Sequence, residues 1–413
     1  MRRKRNLFIG SSLLALIIAC GAEQPAVDEA ADEQATGGKM APMFEVDPLW
    51  PKNLPDHWLM GATIGVDVDS QDHIWIVHRN TPDQFAARTE IGLVQDPPLS
   101  ECCAPGPPVL EFDQEGNLVG HWGGPGTETG DYVWPESNHG ITIDHMDNVW
   151  IGGNGRADSH VLKFARDGTF LMSVGKYGAR LVGEEVVRDS HDMESFGRVA
   201  KIGIDAEANE AYFADGYLNK RVAVVDMDSG EIKRYWGAYG NEPDDELDLG
   251  RYSPDSEPAS QFRGPVHCSE ISNDGYVYVC DRAADRIQVF QKDGSFVKEV
   301  FIAPETLSQG STWDLDFSPD PEQTYLYLAD GQNMKVYIIE RETMEVLTAF
   351  GDGGRQPGMF FAVHSIAVDS DGNIYTTETY EGTRLQKFVY KGLGPIPAGA
   401  EGTNSQGPVW PSQ

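Results

Sequence analysis

One short pattern returns six times along the chain and limits what it can fold into. In each copy, a strand of alternating apolar residues ends in Asp or Ser, a tight turn follows, and a second apolar or aromatic strand comes next. The copies are 65–77, 140–152, 201–215, 268–281, 314–330 and 365–378. Further strands follow each pair, joined by turns that contain Asp-Gly or Ser-Gly. Four antiparallel strands repeated six times predict an all-β fold, a six-bladed β-propeller.

The repeats resemble NHL repeats and cover nearly all of the chain between about residue 44 and residue 390. We therefore expect the propeller to occupy 42–395, followed by a C-terminal tail at 396–413. The segment 42–50 is a candidate for the outer strand that closes the ring. Inserted loops at 80–108, 178–198 and 240–262 make the spacing of the repeats irregular, and long loops in a compact domain are usually functional or disordered.

The first twenty residues differ from the rest of the chain. Four basic residues at 2–5 precede an apolar run at 7–19, which is too short to span a membrane and is typical of a signal peptide. The run ends in Ile-Ile-Ala-Cys-Gly, which resembles a bacterial lipobox, and this implies lipidation of Cys20. We expect 1–19 to be a lipoprotein signal peptide and 20–41 a lipidated, flexible acidic tether. The alternative is an ordinary cleaved signal in which Cys20 is incidental.

This N-terminus predicts a protein of the cell envelope, anchored by lipid at the periplasmic face of the outer membrane or at the cell surface. The chain carries 65 acidic and 32 basic residues, a formal net charge of −33. Such a surface repels phosphate backbones, so we expect no nucleic-acid partner. Protein partners are not indicated by the sequence.

The cysteines other than Cys20 fall into two pairs, and export permits disulfides. Cys102 and Cys103 are adjacent and could bond to each other or to nothing. Cys268 and Cys280 are expected on neighbouring strands of one blade, close enough to pair.

Three histidines share one register in the repeats. When the six units are aligned on the Asp or Ser that ends the first strand, the position five residues earlier holds Ile64, His139, Ala200, His267, Trp313 and His364. Alternate blades lie about 120° apart, so three imidazoles at the start of the innermost strand can converge in the channel. Three nitrogen ligands with an open position are typical of catalytic zinc, although other divalent transition metals accept the same ligands. Taken singly, each histidine could also be an ordinary satisfied polar residue.

Several stretches resemble the peptidyl-α-hydroxyglycine α-amidating lyases. They are IWIVHRN (74–80), HGITIDHMDNVWI (139–151), YFADGYLNKRV (212–222), VYVCDRAADRIQVF (277–290) and VHSIAVDSDGNIYTTE (363–378). The order and register of the three histidines match the family, whose members bind zinc in the channel of a six-bladed propeller. Those enzymes cleave the C–N bond of a peptide ending in α-hydroxyglycine and release glyoxylate. The resemblance implies a zinc-dependent lyase that acts on an α-hydroxyglycine-type or related small carboxylated substrate.

The resemblance also implies roles for single residues. Arg79, in a His-Arg pair, would hold a substrate carboxylate, and Arg282, in an Asp-Arg pair, is the second arginine of the family. Tyr217, in an Asp-Gly-Tyr turn, would act as a base. A structural calcium would be held by backbone carbonyls at Val66, Ile141 and Ser365.

The sequence also departs from the family. Non-proline residues precede all three histidines, Ala362 stands where the family has a methionine near the last histidine, and Leu218 replaces a cysteine. Two other functions therefore stay open. One is a non-catalytic binding platform with a structural metal, because NHL-type propellers often bind partners. The other is a calcium-dependent lactonase-like hydrolase, which would require acidic channel residues where this chain has histidines.

Overall fold

Six four-stranded antiparallel sheets follow one another in the computed structural model, which describes residues 38–80 and 90–411. Within each sheet we label the strands a to d from the centre outward. Strand a of every blade contacts strand a of the next, and blade 6 returns to blade 1, so the innermost strands enclose a central channel. The prediction of an all-β, six-bladed β-propeller is confirmed.

Blade 1 consists, from strand a to strand d, of Thr63–Val68, Ile74–His78, Val109–Phe112 and Leu118–Trp122. Blade 2 consists, in the same order, of Asn138–Ile143, Val149–Gly153, His160–Phe164 and Phe170–Gly175. Blade 3 consists of Val199–Asp205, Glu210–Asp215, Arg221–Asp226 and Ile232–Trp236. Blade 4 consists of Val266–Ile271, Tyr276–Asp281, Arg286–Gln291 and Phe296–Phe301. Blade 5 consists of Asp314–Phe317, Tyr325–Asp330, Lys335–Glu340 and Glu345–Phe350. Blade 6 consists of Val363–Val368, Ile374–Glu378, Arg384–Pro395 and Met40–Asp47.

The outer strand of blade 6 comes from the beginning of the described chain. Met40–Asp47 pairs antiparallel with Arg384–Pro395 and so joins the two ends of the propeller. The prediction that the segment 42–50 closes the ring is confirmed, and the strand begins two residues earlier, inside the stretch expected to be tether. Phe44 and Val46 are buried in the core between blades 5 and 6, so this strand is an integral part of the fold.

The acidic residues that end strand a have a structural task. In blades 1, 2 and 6, this aspartate accepts backbone N–H groups of the following turn and also binds the aromatic side chain six positions later in strand b. These pairs are Asp69–Trp75 at 2.8 Å, Asp144–Trp150 at 3.0 Å and Asp369–Tyr375 at 2.9 Å. A carboxylate that satisfies a turn and a buried aromatic donor fixes the a–b hairpin, which explains the repeat seen in the sequence.

The rest of the described chain forms loops, several of them long, and a tail that pairs with blade 5. Beyond residue 395 the chain forms bridges to blade 5 at Thr348–Glu401, Ala349–Ser405 and Gly351–Gly407. The minor elements are the strand pairs Trp58–Leu59 with Ala104–Pro105 and Leu181–Val182 with Glu185–Val186, and the 3₁₀ turns Gly92–Val94, Ala238–Gly240 and Arg282–Ala284. The expected tail is therefore packed against the propeller.

Both cysteine pairs form disulfides. Cys268 and Cys280 are direct cross-strand partners in blade 4, with Cα atoms 4.9 Å apart. Cys102 and Cys103 bond to each other. The predicted signal peptide, Cys20 and nearly all of the tether lie outside the described residues, so the lipid anchor stays a prediction. Among the described helices, none is both long and apolar enough to cross a bilayer.

Candidate metal centre in the channel

The structure brings the three histidines of the sequence register together. His139, His267 and His364 are each the second residue of strand a, in blades 2, 4 and 6. One nitrogen of each ring lies within 4.8 Å of the corresponding atoms of the other two. The ring centroids are 5.2, 4.9 and 5.0 Å apart, and all three residues are buried. This is a nearly symmetrical triangle of imidazoles.

Each imidazole is oriented by a backbone carbonyl of the next blade. The Nδ1 donors and their acceptors are His139 and Ala200 at 2.8 Å, His267 and Trp313 at 2.5 Å, and His364 and Ile64 at 2.6 Å. A carbonyl can only accept, so Nδ1 carries the proton and Nε2 keeps its lone pair. The acceptors are the residues at the same register in the three blades that lack histidine. A carbonyl that fixes the ring and its tautomer in this way is typical of metal-binding histidines.

The surroundings keep all three rings neutral. Burial, followed by the charges of His364 and Arg79, holds the pKa of His139 well below its ordinary value. Burial and Arg282 do the same to the pKa of His267, and burial lowers the pKa of His364 to about 3. Imidazoles must be deprotonated to bind a metal, and these neutral rings meet that requirement.

Tyr217 lies directly beside the histidine triangle. It follows strand b of blade 3, and its hydroxyl oxygen is 2.8 Å from Nε2 of His139 and 3.0 Å from Nε2 of His267. Arg282 donates to the same oxygen at 3.2 Å and stacks on the ring of Trp313 at 4.6 Å. The hydroxyl has one proton and can donate it to only one of these two nitrogens. The Nε2 lone pair of the other histidine therefore receives no hydrogen bond from Tyr217. This imbalance fits a cation at the centre.

The turns after strand b carry the side chains at the mouth of the channel. Buried ion pairs, Asp215–Arg221 at 2.8 Å and Asp281–Arg286 at 3.0 Å, anchor two of these corners. The first or second residue after strand b then faces the channel mouth in five blades: Arg79, Asn154, Tyr217, Arg282 and Tyr380. The predicted residues Arg79, Tyr217 and Arg282 therefore come from equivalent positions of different blades.

Three polar residues of this mouth were not predicted from the sequence. Arg79 donates to Asn154 at 3.0 Å, and Arg282 donates to Gln309 at 2.7 Å. Gln309 in turn donates to Tyr380 at 3.4 Å. Asn154 and Tyr380 could have been found by extending the repeat alignment past strand b, whereas Gln309 lies in an irregular loop that carries no such signal.

A groove of about 820 Å³ leads away from this mouth. Arg79 and Tyr380 of the mouth line this groove, together with Trp58, Met60 and Arg384. This volume lies in the range of pockets that bind small molecules.

The positions expected to bind calcium through their backbone carbonyls come together, and a buried carboxylate and an ammonium lie beside them. Val66, Ile141 and Ser365 lie on the innermost strands of blades 1, 2 and 6, which are neighbours. The hydroxyl of Ser365 donates to Asp314 at 2.5 Å and accepts the Val66 N–H at 3.4 Å. The cation beside this carboxylate is Lys201, whose Nζ lies 2.7 Å from Asp314. A calcium site would require free oxygen ligands here.

A second group of potential ligands, Asp69, His73 and Glu111, is a structural network. Asp69 accepts two turn amides and the indole N–H of Trp75, and Arg166 forms an ion pair with it at 2.7 Å. Arg166 also contacts Glu111. A guanidinium already occupies the position that a cation would need, so we assign no metal to this group.

The comparisons with known proteins find distant similarity to peptidylglycine amidating enzymes and to an NHL repeat protein. No protein-family model matches the sequence. A peptidyl-glycine alpha-amidating monooxygenase B from Xenopus laevis is 24% identical over 59% of this chain and 25% of its own length. A peptidyl-alpha-hydroxyglycine alpha-amidating lyase 1 from Drosophila melanogaster is 24% identical over 65% of this chain and 48% of its own length.

An NHL repeat-containing protein 3 from Mus musculus is 24% identical over 75% of this chain and 70% of its own length. The chain therefore matches only about a quarter of the frog protein and about half of the fly protein. With its six four-stranded blades, the chain is an NHL-like β-propeller that is distantly similar to the peptidylglycine amidating enzymes.

Proposed function

We propose that this protein is a metal-dependent lyase that cleaves the C–N bond of an α-hydroxyglycine-type or related small carboxylated substrate in the propeller channel. The observation that carries the proposal is the hydrogen-bond contact of the Tyr217 hydroxyl with two of the three converging histidines and with Arg282. A possible proton acceptor, a cation site and an anion-binding side chain thus meet at one point.

His139, His267 and His364 would hold the metal. Their neutral rings and fixed Nδ1–H groups suit zinc, and iron, copper or manganese would accept the same donors. When bound, the metal would act as a Lewis acid towards an oxygen of the substrate. The backbone carbonyls of the alternate blades hold the rings in place, so little reorganisation is needed when the ion binds.

Tyr217 would carry the proton. Tyr217 would first give its own proton to solvent and act as the phenolate. The substrate hydroxyl would then give its proton to the phenolate oxygen, the C–O bond of the substrate would become the carbonyl of glyoxylate, and the C–N bond would break with its electron pair moving to nitrogen. The nitrogen then takes the proton back from Tyr217 and leaves as the amide. Arg282, which donates to the same oxygen, would stabilise negative charge on Tyr217 during this transfer.

The two arginines would bind the substrate carboxylate. The side chains of Arg79 and Arg282 lower the pKa of both His139 and His364 through their charges, so both guanidinium groups act on the centre. Their Nε atoms are buried and lack a hydrogen-bond acceptor among the described residues. A bound carboxylate would supply the missing acceptor, and the groove beside Arg79 would take the remainder of the substrate.

The decisive experiment measures metal content and then glyoxylate release. We expect purified protein to contain about one equivalent of a divalent transition metal and His267→Ala to lose most of it. His145→Ala, which removes an exposed histidine away from the channel, is the matched control and should keep the metal. Wild-type protein should then release glyoxylate from N-benzoyl-α-hydroxyglycine, and His267→Ala should not.

A wild-type protein that binds no transition metal would contradict the proposal. Bound metal without glyoxylate release would instead favour the binding-platform function, in which the three histidines hold a structural ion.

A further inference from the structure

A second charged cluster occupies the channel beyond the histidines. In the alignment of the repeats, Asp67, Glu270 and Asp316 each lie three residues after the position aligned with the three histidines. Asp314 lies one residue after that position. The cation in this cluster is Lys201 of blade 3. Its Nζ lies 2.7 Å from Asp314 and 2.9 Å from Glu270, so one side chain connects blades 3, 4 and 5.

Asp314 is the centre of this arrangement and has no free acceptor position. Its Oδ1 accepts the Leu315 N–H at 3.0 Å and the Lys201 ammonium at 2.7 Å. Its Oδ2 accepts the Ser365 hydroxyl at 2.5 Å and the Ile366 N–H at 3.1 Å. A carboxylate offers about four lone-pair sites, and four donors fill them. Asp314 is therefore committed to the ammonium and to blade 6.

The acidic groups around Lys201 stabilise its charged form although it is buried. Burial alone would lower the pKa of Lys201, but Asp314, Glu270 and Asp316 outweigh it and raise that pKa above its ordinary value. Burial raises the pKa of Glu270 to about 8, and Lys201 opposes this increase. Burial also raises the pKa of Asp67 to about 6 and of Asp316 to about 7. Without Lys201, four carboxyl groups would face one another in a buried space, and no other cation of the described residues acts on Asp67, Glu270 or Asp316.

We propose that the Lys201 ammonium is the resident cation of the channel and takes the place of the calcium that the family resemblance implies. Calcium needs six to eight oxygen ligands, whereas the carboxylate closest to Ser365 already has its oxygens filled. An ammonium attached to blade 3 is always present, so closure of the ring does not depend on an external ion. This inference concerns a different layer of the channel and is independent of the proposed lyase activity.

Calcium titration of the full chain tests the proposal directly. The protein is passed over a chelating resin and resupplied with zinc, and CaCl₂ is then added up to about 1 mM, the weak end of extracellular calcium sites. Wild-type protein should show no saturable heat of binding and no rise in Tm. Saturable calcium binding with a rise in Tm would overturn the proposal, whatever the variants do.

Two lysine variants complete the test. Lys201→Ala leaves the carboxylates without a cation, so without calcium its Tm should fall by roughly 5 °C or more. The same variant should gain saturable calcium binding that restores part of the loss. Lys163→Ala is the matched control, because Lys163 is also buried and pairs with Asp144 at 3.2 Å, outside the channel. It should lose stability without gaining calcium binding.

If Lys201→Ala folds poorly, the comparison is its yield of folded protein on refolding with and without calcium. Refolding that calcium improves supports the proposal. A variant as stable as wild type without calcium contradicts it.

Discussion

At the scale of single residues, the histidine triangle depends on atoms that no side-chain motif contains. The blades without histidine provide the carbonyl oxygens of Ile64, Ala200 and Trp313, which orient the rings of the other three blades. A carbonyl can accept equally well from an isoleucine, an alanine or a tryptophan, so the three positions can hold different side chains in this chain. The alternation of ligand and acceptor around the ring explains why only every second blade carries a histidine.

Substitution of Tyr217 tests the chemistry at this scale. Tyr217→Phe removes the hydroxyl that contacts two histidines and leaves the ring in place. If the proposed function is correct, glyoxylate release should fall by about 10²-fold or more, the usual contribution of a proton-transferring group. Metal content should stay at the wild-type level because the three imidazoles remain.

Tyr177→Phe is the control for this substitution, since it also removes a tyrosine hydroxyl, one that donates to Glu136 at the surface. Unchanged activity of Tyr217→Phe, with metal bound, would remove Tyr217 from the mechanism.

At the scale of strands, β-bulges place the histidine position in the channel. The pairing of strands a and b shifts register around this position in five blades, between Thr63 and Gly65, His139 and Ile141, Val199 and Ile202, Val266 and Cys268, and Val363 and Ser365. A bulge re-aims a side chain and interrupts the ladder. It therefore lets a residue at the start of a core strand point to the channel, and it lets the carbonyls of Ile64 and Ala200 reach the histidine of the preceding blade.

The sequence could predict the repeats and the histidine register, but not the contacts that single side chains make between blades. The alternation of apolar residues and the turn aspartates predicted the six blades, because both are local. The histidine register predicted the triangle, since equivalent positions of a repeat become equivalent points of a ring. Lys201 could not be found in this way. Its partners, Asp314 and Glu270, lie in other blades, and the contact depends on the reach of a flexible side chain.

The closing strand gives a stability prediction at this scale. Phe44 of Met40–Asp47 is 3% exposed, and its ring centroid lies 5.6 Å from that of Tyr327 and 5.4 Å from that of Phe350. Phe44→Ala should lower the free energy of unfolding in urea by about 3 kcal/mol or more, because it leaves a cavity where blade 6 meets blade 5. Leu49→Ala is the control, since Leu49 is 84% exposed and should change this energy by less than about 0.5 kcal/mol. Equal effects of the two substitutions would mean that this strand contributes little to closing the ring.

At the scale of the whole molecule, the channel contains two layers with opposite electrostatic requirements. The layer of His139, His267 and His364 is held neutral by burial and by arginines, the state that the proposed metal would require. The layer of acidic residues around Lys201 already has its cation. The two layers join all six blades, so stability of the ring and chemistry at its mouth can be changed separately.

The acidic layer should make the stability of the molecule depend on pH. Burial raises the pKa of Glu270 from 4.5 to about 8, so the folded protein binds this proton more tightly than the unfolded chain does. The contribution of Glu270 to the free energy of unfolding is complete below its pKa in the unfolded chain, 4.5, and is lost as the pH rises through its folded pKa of about 8. Asp67, with a pKa raised to about 6, and Asp316, with one raised to about 7, act in the same direction over a lower range. The groups that face them are Lys201 and Asp314.

Glu270→Gln isolates this effect, because the amide resembles the protonated acid and cannot titrate. Between about pH 5 and about pH 9, the free energy of unfolding of the wild type should fall more steeply than that of the variant, by a slope approaching 1 kcal/mol per pH unit. Glu231→Gln, at an exposed turn, should run parallel to the wild type. Urea denaturation at each pH measures all three proteins. Parallel curves for wild type and Glu270→Gln would show that Glu270 is already ionised at neutral pH, and Lys201 would then neutralise two full carboxylate charges.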